Sequence, residues 1–237
     1  MDKIFHPANA RGKADHGWLK ASHSFSFANF FDPDKIQFGL LRVLNDDYVK
    51  AGMGFGTHPH KNMEIISIPL KGEIKHKDSM NHTAIIEAGE VQVMSAGTGV
   101  EHSEFNSSKD ELNLLQIWIF PERNELEPRY DQKDFSDLIQ PNKLINIVAP
   151  KGDQSENSLY INQKAYLHLG DFEAGRNIDY KLKNTTNGVY VFLIEGEADV
   201  EESKLTKRDA VGIWNTSSIS LEFKTPSKVL LIEVPMN

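Results

Sequence analysis

A chain of 237 residues with 39% hydrophobic side chains is long enough for one large β domain or two ordinary ones, with ample material for a packed core. Its 26 basic against 34 acidic side chains leave a formal charge of −8, which speaks against a broad phosphate-binding surface and so against direct nucleic-acid binding. The absence of cysteine excludes disulfides, thiolate metal sites, iron–sulfur clusters and cysteine nucleophiles, so any metal is held by nitrogen and oxygen.

The opening MDKIFHPANARGKADHGW lacks the apolar core of a signal segment, and no apolar run approaches the roughly 18 residues of a membrane span. A cytoplasmic chain without a membrane partner is expected. His16 and His23 follow, but their seven-residue spacing has no ligand logic and leaves them hydrogen-bonding or structural roles. Short apolar or alternating segments then recur between turn residues: FGLLRVL (38–44), EIISIPL (64–70), EVQVMSAG (90–97), LNLLQIWIF (112–120), VYVFLIEG (189–196), ISLEFK (219–224) and KVLLIEV (228–234). Many short strands with regular turns predict an all-β fold of sandwich or barrel type. A polar stretch from Pro121 to about Ser158 interrupts the rhythm, with a short helix predicted near DFSDLI. PLKGEIKHKD (69–78) is echoed by LIEGEADVEE (193–202), and IIEAGEVQVMSAG (85–97) by KLTKRDAVGIWNT (204–216), which points to a duplicated barrel. The expected organisation is a metal-binding domain over 1–135, a short helical linker over 136–158 and a second barrel without metal ligands over 159–237.

Eight of the nine histidines precede the linker and only His168 follows it, so a metal belongs to the first domain. In GFGTHPHKNMEII (54–66), residues i and i+2 of a strand share a face, so His58 and His60 can aim their imidazoles at one point. The same parity carried onward gives Asn62, Glu64, Ile66, Ile68 and Leu70, polar at one end and apolar at the other, as a barrel with a site at its mouth requires. Pro59 cannot donate to a ladder and places this end of the strand at an edge or irregularity. Taken alone, the pair reads more readily as two surface histidines on an edge strand. In SAGTGVEHSEFN (95–106), His102 and Glu104 repeat the i, i+2 arrangement behind a glycine turn. Three nitrogens and one oxygen then converge, a set suited to a divalent first-row metal with open positions and close to the two-His, one-carboxylate sites of non-haem iron oxygenases. The plain alternative for the second pair is a His-Glu pair on a wet turn. No Gly-x-Ser-x-Gly elbow appears, and the glycines around Gly170 and Gly175 lack the spacing of a phosphate loop.

GMGFGTHPHKNMEIISIPLKG resembles the first cupin motif, G-x5-H-x-H-x3-E-x6-G, with Gly52, His58, His60 and Glu64 in place and Gly72 one residue late. AGEVQVMSAGTGVEHSEFN resembles the second cupin motif loosely, its histidine five residues after Gly97 and Ser95 at the usual proline. Both departures are those of the pirin family, which HGWLKASHSFSFANFFDP (16–33), LLRVLNDDYVKAGMGFGTHPHKNMEI (40–65) and QIWIFPERNELEPRYDQ (116–132) also resemble. The likeness is to the short bacterial pirin-like proteins of quercetin 2,3-dioxygenase type, and it implies a bicupin fold of two double-stranded β-helix barrels in one monomer.

The resemblance further implies one divalent metal, Fe2+ first, with Zn, Mn, Ni, Cu or Co as alternatives, held by His58, His60, His102 and Glu104, and leaves Glu64 out of the set. It implies a flavonol substrate, a small planar aromatic molecule, opened by dioxygen with release of carbon monoxide. A ligand carboxylate keeps a free lone pair beside a bound hydroxyl, which makes Glu104 the expected catalytic proton acceptor. Substrate planarity calls for an aromatic rim, for which Phe25, Phe27 and Phe55 are candidates; their alternative is ordinary core packing. Two other functions stay open: a pirin-like regulatory module with a protein partner, and a cupin enzyme acting on another enediol-like substrate.

Overall fold

Alternation along the long strands decides the architecture. In Glu64–Lys71, Ile66 and Ile68 join one buried cluster and Ile65 another, so the strand is apolar on both faces and has to lie between two layers. Ser227–Pro235 behaves likewise, Leu230, Ile232 and Val234 facing one cluster and Val229 and Leu231 a second. The computed structural model describes residues 1–237, with 22 strands, a 3₁₀ turn at Ala8–Ala10 and no α-helix.

The first half contains β1 (Asp2–His6), β2 (Gly12–Asp15), β3 (Leu19–His23), β4 (Leu41–Val49), β5 (Gly54–His60), β6 (Glu64–Lys71), β7 (Glu73–Asp78), β8 (Thr83–Glu87), β9 (Glu90–Ser95), β10 (Val100–Asn106), β11 (Leu112–Ile119) and β12 (Arg129–Asp134). The second contains β13 (Lys143–Pro150), β14 (Leu159–Ile161), β15 (Tyr166–Phe172), β16 (Asn177–Lys181), β17 (Asn187–Glu195), β18 (Glu197–Val200), β19 (Ser203–Thr206), β20 (Ala210–Trp214), β21 (Ser218–Phe223) and β22 (Ser227–Pro235). Each half folds as a seven-stranded sheet laid over a four-stranded one. The large sheets run β12-β9-β6-β11-β4-β3-β2 and β1-β20-β17-β22-β15-β13-β14, and the small ones β5-β10-β7-β8 and β16-β21-β18-β19. Read side by side, the orders match strand for strand through the centre of each sheet, which makes the protein a bicupin.

The two large sheets face each other across a cluster of 26 buried residues drawn from both halves, including Ile66, Ile68, Leu115 and Ile117 from one side and Tyr190, Phe192, Leu230 and Ile232 from the other. Phe38 reaches across this junction onto the second sheet, where Gly188 and Gly212 leave room for its ring; a Cβ at Gly212 would lie 2.5 Å from a ring carbon. A buried polar lock flanks it. Asp46 takes Arg11 Nη1 at 3.4 Å and Arg208 Nε at 3.5 Å, and Arg208 Nη2 donates to Asn113 Oδ1 at 3.0 Å.

Two expectations change here. The segment 136–158 is not a helical linker: β13 fills its middle and pairs with β15. DFSDLI makes a single turn, with Leu138 N and Ile139 N both donating to Phe135 O at 2.9 and 3.0 Å. Pro141 then stops it, since proline lacks an N–H and drives the preceding residue out of helical geometry. The sheets also divide the chain differently, because β1 pairs antiparallel with β20 and so belongs to the second barrel. No helix is long and apolar enough to cross a membrane.

Candidate metal centre

β5 is the edge strand of its sheet, as a strand containing Pro59 has to be. It pairs antiparallel with β10, placing His58 opposite His102 and His60 opposite Val100. The register shifts between His102 and Glu104, a bulge that re-aims the carboxylate relative to the imidazole. The ring centroids of His58, His60 and His102 lie 4.4 to 4.9 Å apart, and one ring nitrogen of each falls within 4.8 Å of the others.

The donor set fits a divalent metal. His58 Nδ1 contacts Gly56 O at 2.8 Å, so that nitrogen carries the proton and Nε2 keeps its lone pair for a ligand. His102 is 1% exposed, and neither of its ring nitrogens has a hydrogen-bond partner. Leaving such groups bare costs about 1–3 kcal/mol apiece, a cost that coordination removes. Burial, followed by the neighbouring imidazoles, lowers the His102 pKa to about 2, and burial with His58 beside it lowers His60 to about 4. Neutral imidazole, the ligating form, is therefore the form present.

Glu104 lies deeper. Ser67 Oγ donates to its Oε1 at 3.1 Å and Gln116 Nε2 to its Oε2 at 2.9 Å, and burial pushes its pKa up to about 7 against these two bonds. Its carboxylate groups within 4.8 Å with His102 and with His76, so His102 is shared by two clusters rather than the four expected donors forming one. His76 is fully buried; its Nε2 meets Asp78 Oδ2 at 3.2 Å, which in turn meets Nδ1 of the half-exposed His82 at 3.0 Å. Tyr130 stacks over His82 at 5.0 Å and 20°. Desolvation works against the Asp78 charge, but the hydrogen bonds from His82 and His76 outweigh it and hold that pKa low.

A cavity of about 210 Å³ opens over the three imidazoles, walled by Phe27, Phe55, Ile65 and Trp118, with Asn45, Asp47 and Gln116 supplying polar groups. Asp47 is 4% exposed, one of its oxygens has no partner, and burial followed by the Asp46 and Glu104 charges raises its pKa to about 8. It therefore stays protonated near neutral pH and can donate a hydrogen bond into the cavity. Asn45 is held by His23, whose Nδ1 lies 2.9 Å from Asn45 Oδ1.

Phe27 and Phe55 stand in the cavity wall, and Phe25 does not. It is 1% exposed in the core between the barrels, with Tyr190 at 5.4 Å and His6 at 5.9 Å. The parity carried from His58 through Leu70 also fails. Asn62 takes a left-handed φ of 51° between β5 and β6 and resets the alternation. Ile65 and Ser67 thus look into the cavity, while Ile66 and Ile68 look toward the second barrel. Glu64 turns away with them, bound by Ser95 Oγ at 2.6 Å and Asn162 Nδ2 at 3.2 Å. The sequence reading missed His76, Asp78, Asn45 and Asp47. The signal was available for the first two, since IKHKD (74–78) buries Ile74, His76 and Asp78 and exposes both lysines.

Comparison with known proteins agrees with this geometry. The family profile described as Pirin matches residues 4–119, and that described as Quercetinase C-terminal cupin domain matches 147–234. The quercetin 2,3-dioxygenase of Escherichia coli (strain K12) is 42% identical over 233 residues, covering 96% of each chain. A putative quercetin 2,3-dioxygenase of Pseudomonas aeruginosa is 37% identical over 228 residues, covering 96% of this chain and 97% of its own. The crystal structure of the bacterial pirin YhhW from Escherichia coli in complex with nickel(II) superposes with a TM-score of 0.92 at 38% identity, covering 99% of each chain.

Proposed function

The chain belongs to the pirin family, and from that premise we propose that it is a metal-dependent dioxygenase of flavonols such as quercetin, taking up dioxygen and releasing carbon monoxide. The observation that carries this reading is the convergence of three imidazoles at an aromatic-walled cavity, with His102 buried and wholly unpartnered. His58, His60 and His102 are the ligands we assign, with Glu104 as the carboxylate donor and Fe2+ as the ion. A divalent ion held there supplies Lewis acidity that lowers the pKa of a bound hydroxyl and orients substrate and dioxygen.

The protein's own groups do the rest. Glu104 accepts the proton of the flavonol 3-hydroxyl on a carboxylate oxygen. Ser67 and Gln116 fix the direction of that carboxylate. Phe27, Phe55 and Trp118 hold the planar ring and keep water from the reacting carbons. Asp47, protonated, donates to a substrate oxygen from the strand opposite.

The test is flavonol consumption by the iron-loaded protein in air, followed by loss of flavonol absorbance. Glu104→Gln keeps the three imidazoles and an oxygen of similar size but removes the basicity, so turnover per bound iron is expected to fall by roughly 10²-fold. Full turnover per iron in that variant overturns the base role. No flavonol turnover in the iron-loaded wild type overturns the dioxygenase reading and favours a regulatory metal site with a protein partner.

A further inference from the structure

The metal cavity is too small for the substrate proposed for it. About 210 Å³ lies below the ~300–1,000 Å³ typical of sites for ligands of flavonol size. One fused ring carrying the hydroxyl and carbonyl fills it, and the rest of the molecule has to lie elsewhere.

Two neighbouring hollows share a wall with it. Across His60 lies one of about 410 Å³ bordered by Pro59, Lys61, Ser79 and Glu101, which presents no Phe, Tyr or Trp side chain for an aryl ring to stack on. Across Phe27 and Phe55 lies one of about 580 Å³, lined by Trp18, Phe30, His16 and His23 beside those two phenylalanines. The aromatic wall is continuous from one side to the other. Trp18 stands edge-on to Phe55 at 5.4 Å, His23 lies 5.2 Å from Phe27, and Phe27 stands edge-on to Trp118 inside the metal cavity at 5.3 Å. Edge-to-face pairs at these distances are favourable arrangements that keep the ring faces open for stacking.

The wall is also built to stay in place. Phe27 and Phe30 exchange both backbone hydrogen bonds, at 3.0 and 2.9 Å, around a turn in which Ala28 adopts a φ of 50°. Gly12 leaves the space that the Phe30 ring fills, since a Cβ there would stand 2.2 Å from it. A strained non-glycine turn that holds two aromatic side chains against an open pocket points to a role in binding.

We propose that this outer pocket is the second half of the substrate site, so that a multi-ring planar substrate lies through the Phe27–Phe55 neck with its chelating ring inside and its remaining aryl ring against Trp18 and Phe30. The proposal rests on the flavonol reading and narrows it, selecting extended multi-ring enols over monocyclic ones.

Two measurements on the metal-loaded full-length chain test it. In the first, a flavone lacking the 3-hydroxyl, which cannot turn over, is titrated calorimetrically. Trp18→Ala, and Ala14→Trp on the edge strand β2, which fills the pocket from its rim, are each expected to weaken binding about tenfold. In the second, kcat/KM for a flavonol is compared with that for a monocyclic 3-hydroxy-4-pyranone bearing the same chelating pair. Both variants are expected to lower the flavonol value about tenfold more than the monocyclic one, chiefly through KM. Flavone affinity within twofold of wild type in both variants, or equal losses for the two substrates, overturns the proposal. Flavone binding that the variants weaken in a protein with no flavonol turnover supports the pocket and overturns the dioxygenase reading alone.

Discussion

The two barrels share a strand order and differ in what fills them. In the first, β5 and β10 turn His58 and His102 inward; in the second, β16 and β21 stand in the same place in the small sheet and turn in Tyr180 opposite Ile219 and Ile178 opposite Leu221. A cluster of 16 buried apolar residues closes the second interior, with Phe172 and Phe223 stacked at 4.2 Å and 6°. Their buried carboxylates differ in the same sense. Glu233 accepts from Tyr180 Oη, Lys183 N, Asn184 N and Asn187 Nδ2 at 2.7 to 3.0 Å, a saturated group that pins the loop before β17. Glu104 has two donors and His102 none. A barrel interior can be packed and internally satisfied, or left hollow with polar groups waiting for a ligand; the duplication has produced one of each.

The largest test of this contrast is Phe223→Ala. It opens a void in the packed barrel and is expected to cost about 3–5 kcal/mol in denaturant unfolding while leaving metal bound per folded chain unchanged. Loss of metal along with stability would mean that the second barrel shapes the first site directly.

Next in size is the pH response of His168, the second half's only histidine. Burial, with a smaller contribution from Lys183, lowers its pKa to about 4 from an ordinary 6.5. The folded chain refuses a proton that the unfolded chain binds, so its contribution is complete above pH 6.5 and is lost as pH falls toward 4. The stability difference between wild type and His168→Asn should therefore shift by roughly 3 kcal/mol against the wild type from pH 7 to pH 4. A difference that does not vary with pH would show this imidazole to be solvated rather than packed.

In the hollow barrel, metal at 100 times its Kd is expected to stabilise the wild type by about 2.7 kcal/mol and His102→Ala not at all. Metal-dependent stabilisation surviving in His102→Ala would place a site outside the imidazole trio. The smallest effect is at the junction, where Gly212→Ala sets a methyl against Phe38 and should cost about 1–3 kcal/mol, read as a lowered midpoint common to both barrels. Separate unfolding of the two barrels in the wild type would refute their coupling through this junction.

How much was legible beforehand depends on how local each feature is. His58 with His60, and His102 with Glu104, could be paired from the sequence because a strand has a period of two and neighbours at i and i+2 share a face. The apolar filling of the second half was likewise visible in VYVFLIEG and KVLLIEV. Parity stops at the end of a strand, however. One left-handed residue, Asn62, reversed it and sent Glu64 toward the second barrel. Phe25 could not be told from Phe27 because only the docking of the large sheets decides which faces the junction.

The sequence by itself determined the strands, the repeated pattern of the two halves, the half of the chain that carries nearly all the histidines and which candidate donors share a strand, since each follows from the residues and their spacing. Only the tertiary structure decided that β5 and β10 lie side by side, that His76 and Asp78 back the site and Asp47 faces it, that β1 crosses to the second barrel and that DFSDLI remains a turn. Those outcomes depend on which distant segments pair when the sheets close, and on the burial and hydrogen bonds that exist only once they have.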